Sequence, residues 1–196
     1  MTARKLRKLL LKSIPFETER LVIRYIQQTD ADDMYEYSSK DEVCKYLLWS
    51  PHLNVDVTKG YIEFLQKRYL RGLYADWAVT IKETGKMIGT CGFANINFRE
   101  KSCEIGYVLS PDFRGRGYMT EAVLETLKLA FEVLGLQYAR LRIINENVAS
   151  KRLAERVGFS LERIGYSEME IKDALCDIAH YVMTFENYQR IKNEAV

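Results

Sequence analysis

The stretch "PDFRGRGYMTEA", Pro111–Ala122, puts two arginines and two glycines directly ahead of residues with helical spacing. Downstream, "YMTEAVLETLKLAFEVLG" sets Met119, Val123, Leu127, Ala130 and Leu134 along one helical face, and Gly135 supplies a stop. Upstream, "SCEIGYVL" reads as a strand that ends before a proline bend. Strand, bend, glycine turn and helix in this order aim the turn's backbone N–H groups and the helix dipole at one anion. Gly115 and Gly117 let the backbone come close and take unusual dihedrals, while Arg114 and Arg116 add charge-assisted contacts to a pyrophosphate.

Two other phosphate-loop readings fail on spacing. A Walker loop needs Gly-Lys-Ser/Thr after a longer glycine-rich span, which is missing here. A dinucleotide fingerprint needs a third glycine where Thr120 stands, after a strand that here contains Glu104 and ends in Ser-Pro.

Outward from this corner, the remaining segments read as one mixed α/β domain. "RLVIRYI" is a strand, "DADDMYEYSSK" and "DEVCKYLL" are short helices, and "VTKGYIEFLQKRYL" spaces Tyr61, Phe64, Leu65 and Tyr69 as a helix does. "WAVTIK", the turn "ETGK" and "MIGTCGF" form a hairpin. "YARLRII" is a strand, "NVASKRLAERVG" is a helix capped by Asn147 and stopped by Gly158, and "FSLERIGY" and "AHYVMTF" complete the sheet. A hairpin followed by a β-α-β crossover predicts a single mixed, mostly antiparallel central sheet with helices on both faces, residues 16–196, preceded by a basic extension, residues 1–15.

Composition narrows the function classes. The 196 residues carry 29 Lys and Arg against 27 Asp and Glu, so a formal charge of +2 gives no field that by itself selects nucleic acid. Cys44, Cys91, Cys103 and Cys176 form no C-x-x-C pair, and His52 and His180 lie near none of them in sequence; no metal site and no disulfide framework are expected, which fits a reducing cytoplasm. "MTARKLRKLLLKS" is too short in its apolar run for a spanning helix, and no membrane association is expected. Its basic residues predict a solvated or loosely docked arm, with contact to anionic RNA or lipid as the alternative.

"EIGYVLSPDFRGRGYMTEA" and "INENVASKRLAERVGF" together resemble the GNAT superfamily of acetyl-CoA-dependent N-acetyltransferases. "FETERLVIRYIQQTDADDMYEY" and "KDALCDIAHYVMTF" extend the resemblance over nearly all the chain after Pro15 and are similar to the ribosomal-protein N-terminal, or Rim-type, branch. The resemblance implies the following assignments. Acetyl-CoA is the co-substrate, its diphosphate held by Arg114, Gly115, Arg116, Gly117, Tyr118, Met119 and Thr120, its pantetheine arm by backbone groups of Tyr107 and Leu109, and its amide by Asn147, which is also the expected helix cap. Met119 departs from the small residue usual at its place, and Ala154 stands where many members carry a tyrosine that protonates the leaving thiolate. Ser150 takes over that acid role by analogy with some N-terminal acetyltransferases.

Acetyl transfer to an amine needs a neutral nucleophile, a donor for the oxyanion and a proton for the thiolate. Near pH 7 an α-amine, with pKa about 8, is easier to deprotonate than a lysine at about 10.4, a difference of over 3 kcal/mol. The expected acceptor is therefore a protein N-terminus; a small amine such as an amino acid, polyamine or aminoglycoside is the alternative, and a CoA-binding module without turnover is another. Glu104 is the candidate base. Because a carboxylate's ordinary value near 4.3 is low for that task, the role calls for burial; the competing reading pairs Glu104 with Lys101 or Arg99 on the strand surface. Cys103 points to the opposite face. Trp49, His52 and Trp77 are candidates for the acceptor pocket or for the core, and the chain is expected to be a monomer or homodimer that forms no stable nucleic-acid complex.

Overall fold

The computed structural model describes residues 3–70 and 76–194. The strands are β1 (Phe16–Glu17), β2 (Leu21–Arg24), β3 (Asp76–Ile81), β4 (Met87–Asn97), β5 (Ser102–Leu109), β6 (Tyr138–Ile144), β7 (Ser160–Ile171) and β8 (Ala174–Thr184). The helices are α1 (Ala3–Lys12), α2 (Ala31–Ser38), α3 (Asp41–Cys44), α4 (Val55–Leu70), α5 (Tyr118–Lys128), α6 (Val148–Val157) and α7 (Phe185–Glu194). A single sheet runs β1-β2-β3-β4-β5-β6-β8-β7, antiparallel throughout except between β5 and β6. That one parallel pair needs a crossover, which α5 supplies across one face of the sheet.

The two faces carry separate cores. On the α5 side, Met119, Val123, Leu127, Ala130 and Leu134 are all buried with Leu21, Trp77, Phe93 and Ile105, as the helical spacing predicts. The crossover helix relaxes into a π-helical stretch, Leu129–Val133, before Gly135 ends it at φ 65°. On the other face Met34, Tyr37, Ile62 and Leu65 of α2 and α4 pack on Ala78 and Met87. Phe64, expected on the inner side of α4, is 52% exposed; Ile62 takes its place because the helix turns that neighbouring position to the sheet.

Three further differences from the sequence reading follow from long-range packing. The basic segment forms α1, and Leu10 and Ile14 are buried in the main core. β7 and β8 are longer than expected because each supplies the other's ladder out to a two-residue turn at Lys172 and Asp173, both at positive φ. α7 follows β8 and buries Tyr188 against Phe131, a tertiary contact with weak local signal. No helix among the described residues is long and apolar enough to cross a membrane.

Candidate active site

β5 and β6 stay paired only from Ser102–Tyr138 to Glu104–Arg140 and then part. Beyond Glu104 the gap is flanked on one face by α5 and α6 and on the other by α3 and α4. Ser110 donates its N–H to the carbonyl of Ile88 on β4, at 2.8 Å. The alternation of an antiparallel ladder then turns the peptide groups of Tyr107 and Leu109 away from β4, toward the gap.

The glycine corner sits at one end of this gap. Gly115 and Gly117 take φ of 74° and 80°, the left-handed region that a side chain disfavours. The first intrahelical bond of α5 runs from Glu121 N–H to Gly117 O at 3.1 Å. The N–H groups of Tyr118, Met119 and Thr120 lie ahead of it, and Gly117 at the cap position has no side chain with which to satisfy them. Met119 turns its side chain into the core, where it is 3% exposed, so its bulk is kept off the phosphate side of the turn. The donor set fits a diphosphate: helix N–H groups, two glycines that permit close approach, and two exposed arginines.

The arginines are held differently. Arg114 pairs with Glu42 of α3 at 3.3 Å, and the Arg116 guanidinium lies over the Phe113 ring. The corner is braced from β2's approach by Arg20, whose Nε donates to Glu121 Oε2 at 2.7 Å and whose Nη1 donates to the Arg116 carbonyl at 3.0 Å. Thr18 also donates to Glu121. Burial pushes the Glu121 carboxyl up, but the hydrogen bonds from Thr18 and Arg20 outweigh it and leave the group below the usual carboxylate range. Arg20 and Glu121 are absent from the sequence reading. An acidic residue in a helix's first turn is a weak signal, and its partner lies about a hundred positions away.

A cleft of about 420 Å³ runs from this corner along the gap, lined by Tyr107, Leu109, Arg114, Gly115, Gly117 and Asn147 among others. A second cavity of about 340 Å³ opens on the opposite side, lined by Trp49, Tyr61, Asp76, Glu104 and Gly106 among others. Tyr107, Val108, Asn147 and Ser150 line both. The two spaces therefore meet where β5 has left β6.

At that meeting point Ser150 Oγ lies 2.7 Å from the Tyr107 hydroxyl. The Asn147 side chain accepts the Ser150 N–H at 3.2 Å and so caps α6 as expected. Burial pushes the Tyr107 phenol up to about 12, opposed by its bond to Ser150. Ala154 is fully buried, one turn further along α6. A phenol from β5, which the sequence reading credited only with its backbone, thus reaches Ser150 one turn before Ala154.

Glu104 lines the second cavity, and its partner is neither Lys101 nor Arg99: Arg142 Nε donates to Glu104 Oε1 at 2.9 Å. Cys103 is buried on the opposite face, and burial raises its thiol well above the usual value. Trp49 lines this second cavity, whereas Trp77 belongs to the main core. His52 is buried, with Nδ1 at 3.0 Å from Ser38 Oγ and 2.8 Å from Thr58 Oγ1, and burial lowers its pKa. Asp76, overlooked in the sequence because it precedes the hydrophobic run of β3, faces the same cavity as Glu104; burial raises its carboxyl to about 6 against a lowering influence from Arg68. No group of three or more His, Cys, Asp or Glu side chains among the described residues is arranged to hold a metal.

Comparison with known proteins places the chain in a family. The family model "Acetyltransferase (GNAT) domain" matches residues 20–160. The Bacillus licheniformis N-acetyltransferase p20 is 30% identical, over 87% of this chain and 96% of its own length. The Bacillus subtilis putative ribosomal N-acetyltransferase YdaF is 24% identical over 83% and 90%, and a Vibrio cholerae spermidine N(1)-acetyltransferase 21% over 71% and 79%. Among solved structures, a GCN5-related N-acetyltransferase from Brucella melitensis superposes with a TM-score of 0.81 at 25% identity, covering 91% of this chain and 82% of that one. The family model spans most of the chain and the p20 relative reaches 30% identity over nearly its whole length, and the chain therefore belongs to the GNAT family of acetyl-CoA-dependent N-acetyltransferases.

Proposed function

We propose that the chain acetylates the α-amine of a protein N-terminus by direct attack while both substrates are bound. The observation that carries this reading is the junction of the two cavities at Tyr107 and Ser150, with donors for phosphate on one side and carboxylates for an ammonium on the other. Arg114, Arg116 and the N–H groups of Tyr118, Met119 and Thr120 hold the diphosphate, with Gly115 and Gly117 providing the clearance. Tyr107 and Leu109 bind the pantetheine arm through their peptide groups, and Asn147 completes its amide contacts. Acetyl-CoA supplies an activated acyl group, so the protein's tasks are to align the amine, remove its proton and protonate the thiolate. Ser150, oriented by the Tyr107 hydroxyl, is the donor to the thiolate. Glu104 or Asp76 takes the amine's proton.

The likeness to YdaF, whose name refers to the ribosome, supports a protein acceptor. A polyamine acceptor is the second reading. It is favoured by the two carboxylates in one cavity and by the spermidine acetyltransferase relative. Thiol release from acetyl-CoA separates the two. A peptide with a free α-amine should turn over at pH 7 while its Nα-blocked, lysine-containing counterpart does not. Faster turnover of spermidine than of any peptide would replace the first reading by the second.

A further inference from the structure

Asp76 and Glu104 face one cavity, but their surroundings differ. Glu104 is half-buried and already accepts a hydrogen bond from the Arg142 guanidinium. Asp76, at the start of β3, is in register with Gly92 of β4, and Gly92 is in register with Gly106 of β5. The three residues form one row on the α2/α4 face, and the Asp76 carboxylate extends along it: its Oδ1 lies 3.9 Å from the position that a Cβ on Gly106 would occupy. Gly106 directly precedes Tyr107, past the last β5–β6 pair. The carboxylate therefore reaches the gap from the face opposite to Ser150.

The groups around Asp76 are largely neutral. Tyr61 and Tyr69 of α4, Tyr37 of α2 and Cys91 of β4 are held neutral by burial, and Arg68 is the cation whose influence reaches it. Glu104 and Arg142 share the cavity as a pair. The Tyr69 hydroxyl donates to the Asp76 carbonyl and anchors the backbone at the strand's first residue. No hydrogen bond to the Asp76 carboxylate is made by the described residues.

We propose that Asp76 is the general base, and that Glu104, locked to Arg142, contributes only negative charge for drawing the ammonium into the cavity. This rests on the acetyltransferase reading above. The ammonium arrives with three protons. One passes to an Asp76 carboxylate oxygen, the freed lone pair forms the C–N bond to the thioester carbonyl, and the C–S bond breaks. The thiolate takes a proton through Ser150, which is made good by the second proton shed from nitrogen; the amide keeps the third. Asp76 releases its proton to solvent, so one proton is produced per turnover. A half-buried carboxyl raised to about 6 is ionised at neutral pH yet basic enough to draw a proton from an amine near 8.

The test uses the full chain, acetyl-CoA and a free-α-amine peptide, with spermidine in parallel, and follows kcat from pH 5.5 to 9.5. Asp76→Asn should lower kcat by about 10²- to 10⁴-fold at pH 6.5 to 7, with the deficit shrinking toward pH 9.5 as the amine deprotonates in bulk. Asp76→Glu should recover part of the loss, and Glu104→Gln should raise KM with less than a tenfold change in kcat. Independently of turnover, a ¹³C NMR titration should show a carboxyl midpoint near 6 that is missing from Asp76→Asn. Acetyl-CoA affinity by calorimetry should be the same in all variants. An Asp76→Asn enzyme within threefold of wild type, a loss that is equal at every pH, or loss of the low-pH limb in Glu104→Gln instead would overturn the assignment to Asp76 alone. A wild-type protein that transfers acetyl to neither amine would overturn the proposed function and this inference together.

Discussion

The cleft at the glycine corner and the carboxylate-lined cavity, proposed to take the diphosphate and the amine, share Tyr107, yet the chain builds them by opposite means. The corner comes from about ten consecutive residues, and its donors are chiefly main-chain N–H groups whose direction follows from two left-handed glycines and a helix start. The cavity draws side chains from the segment after α3 and from α4, β3, β4, β5, β6, α6, β7 and β8, and in the proposed reaction its chemistry depends on which carboxylate is hydrogen-bonded to a guanidinium. A ligand shared by a whole family can be held by local backbone geometry. An acceptor that differs among members is set by distant side chains, which change without disturbing that backbone.

The sharpest way to break this division is at Gly117. Gly117→Asp places a side chain at φ 80°, 3.4 Å from Arg20 Nη2, and adds a carboxylate to an anion site. Acetyl-CoA affinity should fall by about 30-fold or more by calorimetry, since the backbone strain alone costs about 1–3 kcal/mol and charge repulsion adds to it. Asp76→Asn should leave that affinity untouched.

The acceptor side is predicted to carry a stability cost for its chemistry. The folded state holds the Asp76 carboxyl at about 6, above its ordinary 3.8, so the native state binds more protons between those values and stability falls as pH rises through them. The cost is complete above about 6 and absent below the ordinary value. Asp76→Asn should therefore be more stable than wild type at pH 7.5, by up to about 3 kcal/mol in urea denaturation, with the gain fading toward pH 4. Equal stability at pH 7.5 would mean that the carboxylate is solvated in place.

Opposite behaviour is expected at the corner's brace. Glu121 is held below the usual carboxylate range, so its contribution is present above the unfolded-state value and is lost as pH falls through the folded one. Glu121→Gln should destabilise by about 1–2 kcal/mol at pH 7, and the difference should vanish in acid. The smallest effect concerns the Glu42–Arg114 pair, 3.3 Å apart and exposed on both sides. If a diphosphate competes with Glu42 for the guanidinium, Glu42→Gln should tighten acetyl-CoA by no more than about fivefold.

These contrasts also mark how far the sequence can be read. Strand β5, the corner and α5 were legible because glycine spacing, a proline and a helical apolar face lie side by side in "EIGYVLSPDFRGRGYMTEA". Asn147 and Gly158 were legible as the ends of α6 for the same local reason. The Arg142 partner of Glu104 was not, because it depends on how β6 lies beside β5 at the place where they separate. Nor was Asp76: a carboxylate ahead of a hydrophobic strand looks like a solvated end, and its partial burial goes with the packing of α2 and α4 over β3. The reach of the Tyr107 hydroxyl to Ser150 likewise requires the fold of α6 onto β5.

Amide NMR during a coenzyme A titration tests the central claim most directly. If the glycine corner seats the diphosphate, the N–H signals of Tyr118, Met119 and Thr120 shift first and most, with slowed hydrogen exchange, and Gly117→Asp abolishes the response. Large shifts confined to the Trp49–Tyr61 side, with those three amides unmoved, would contradict it.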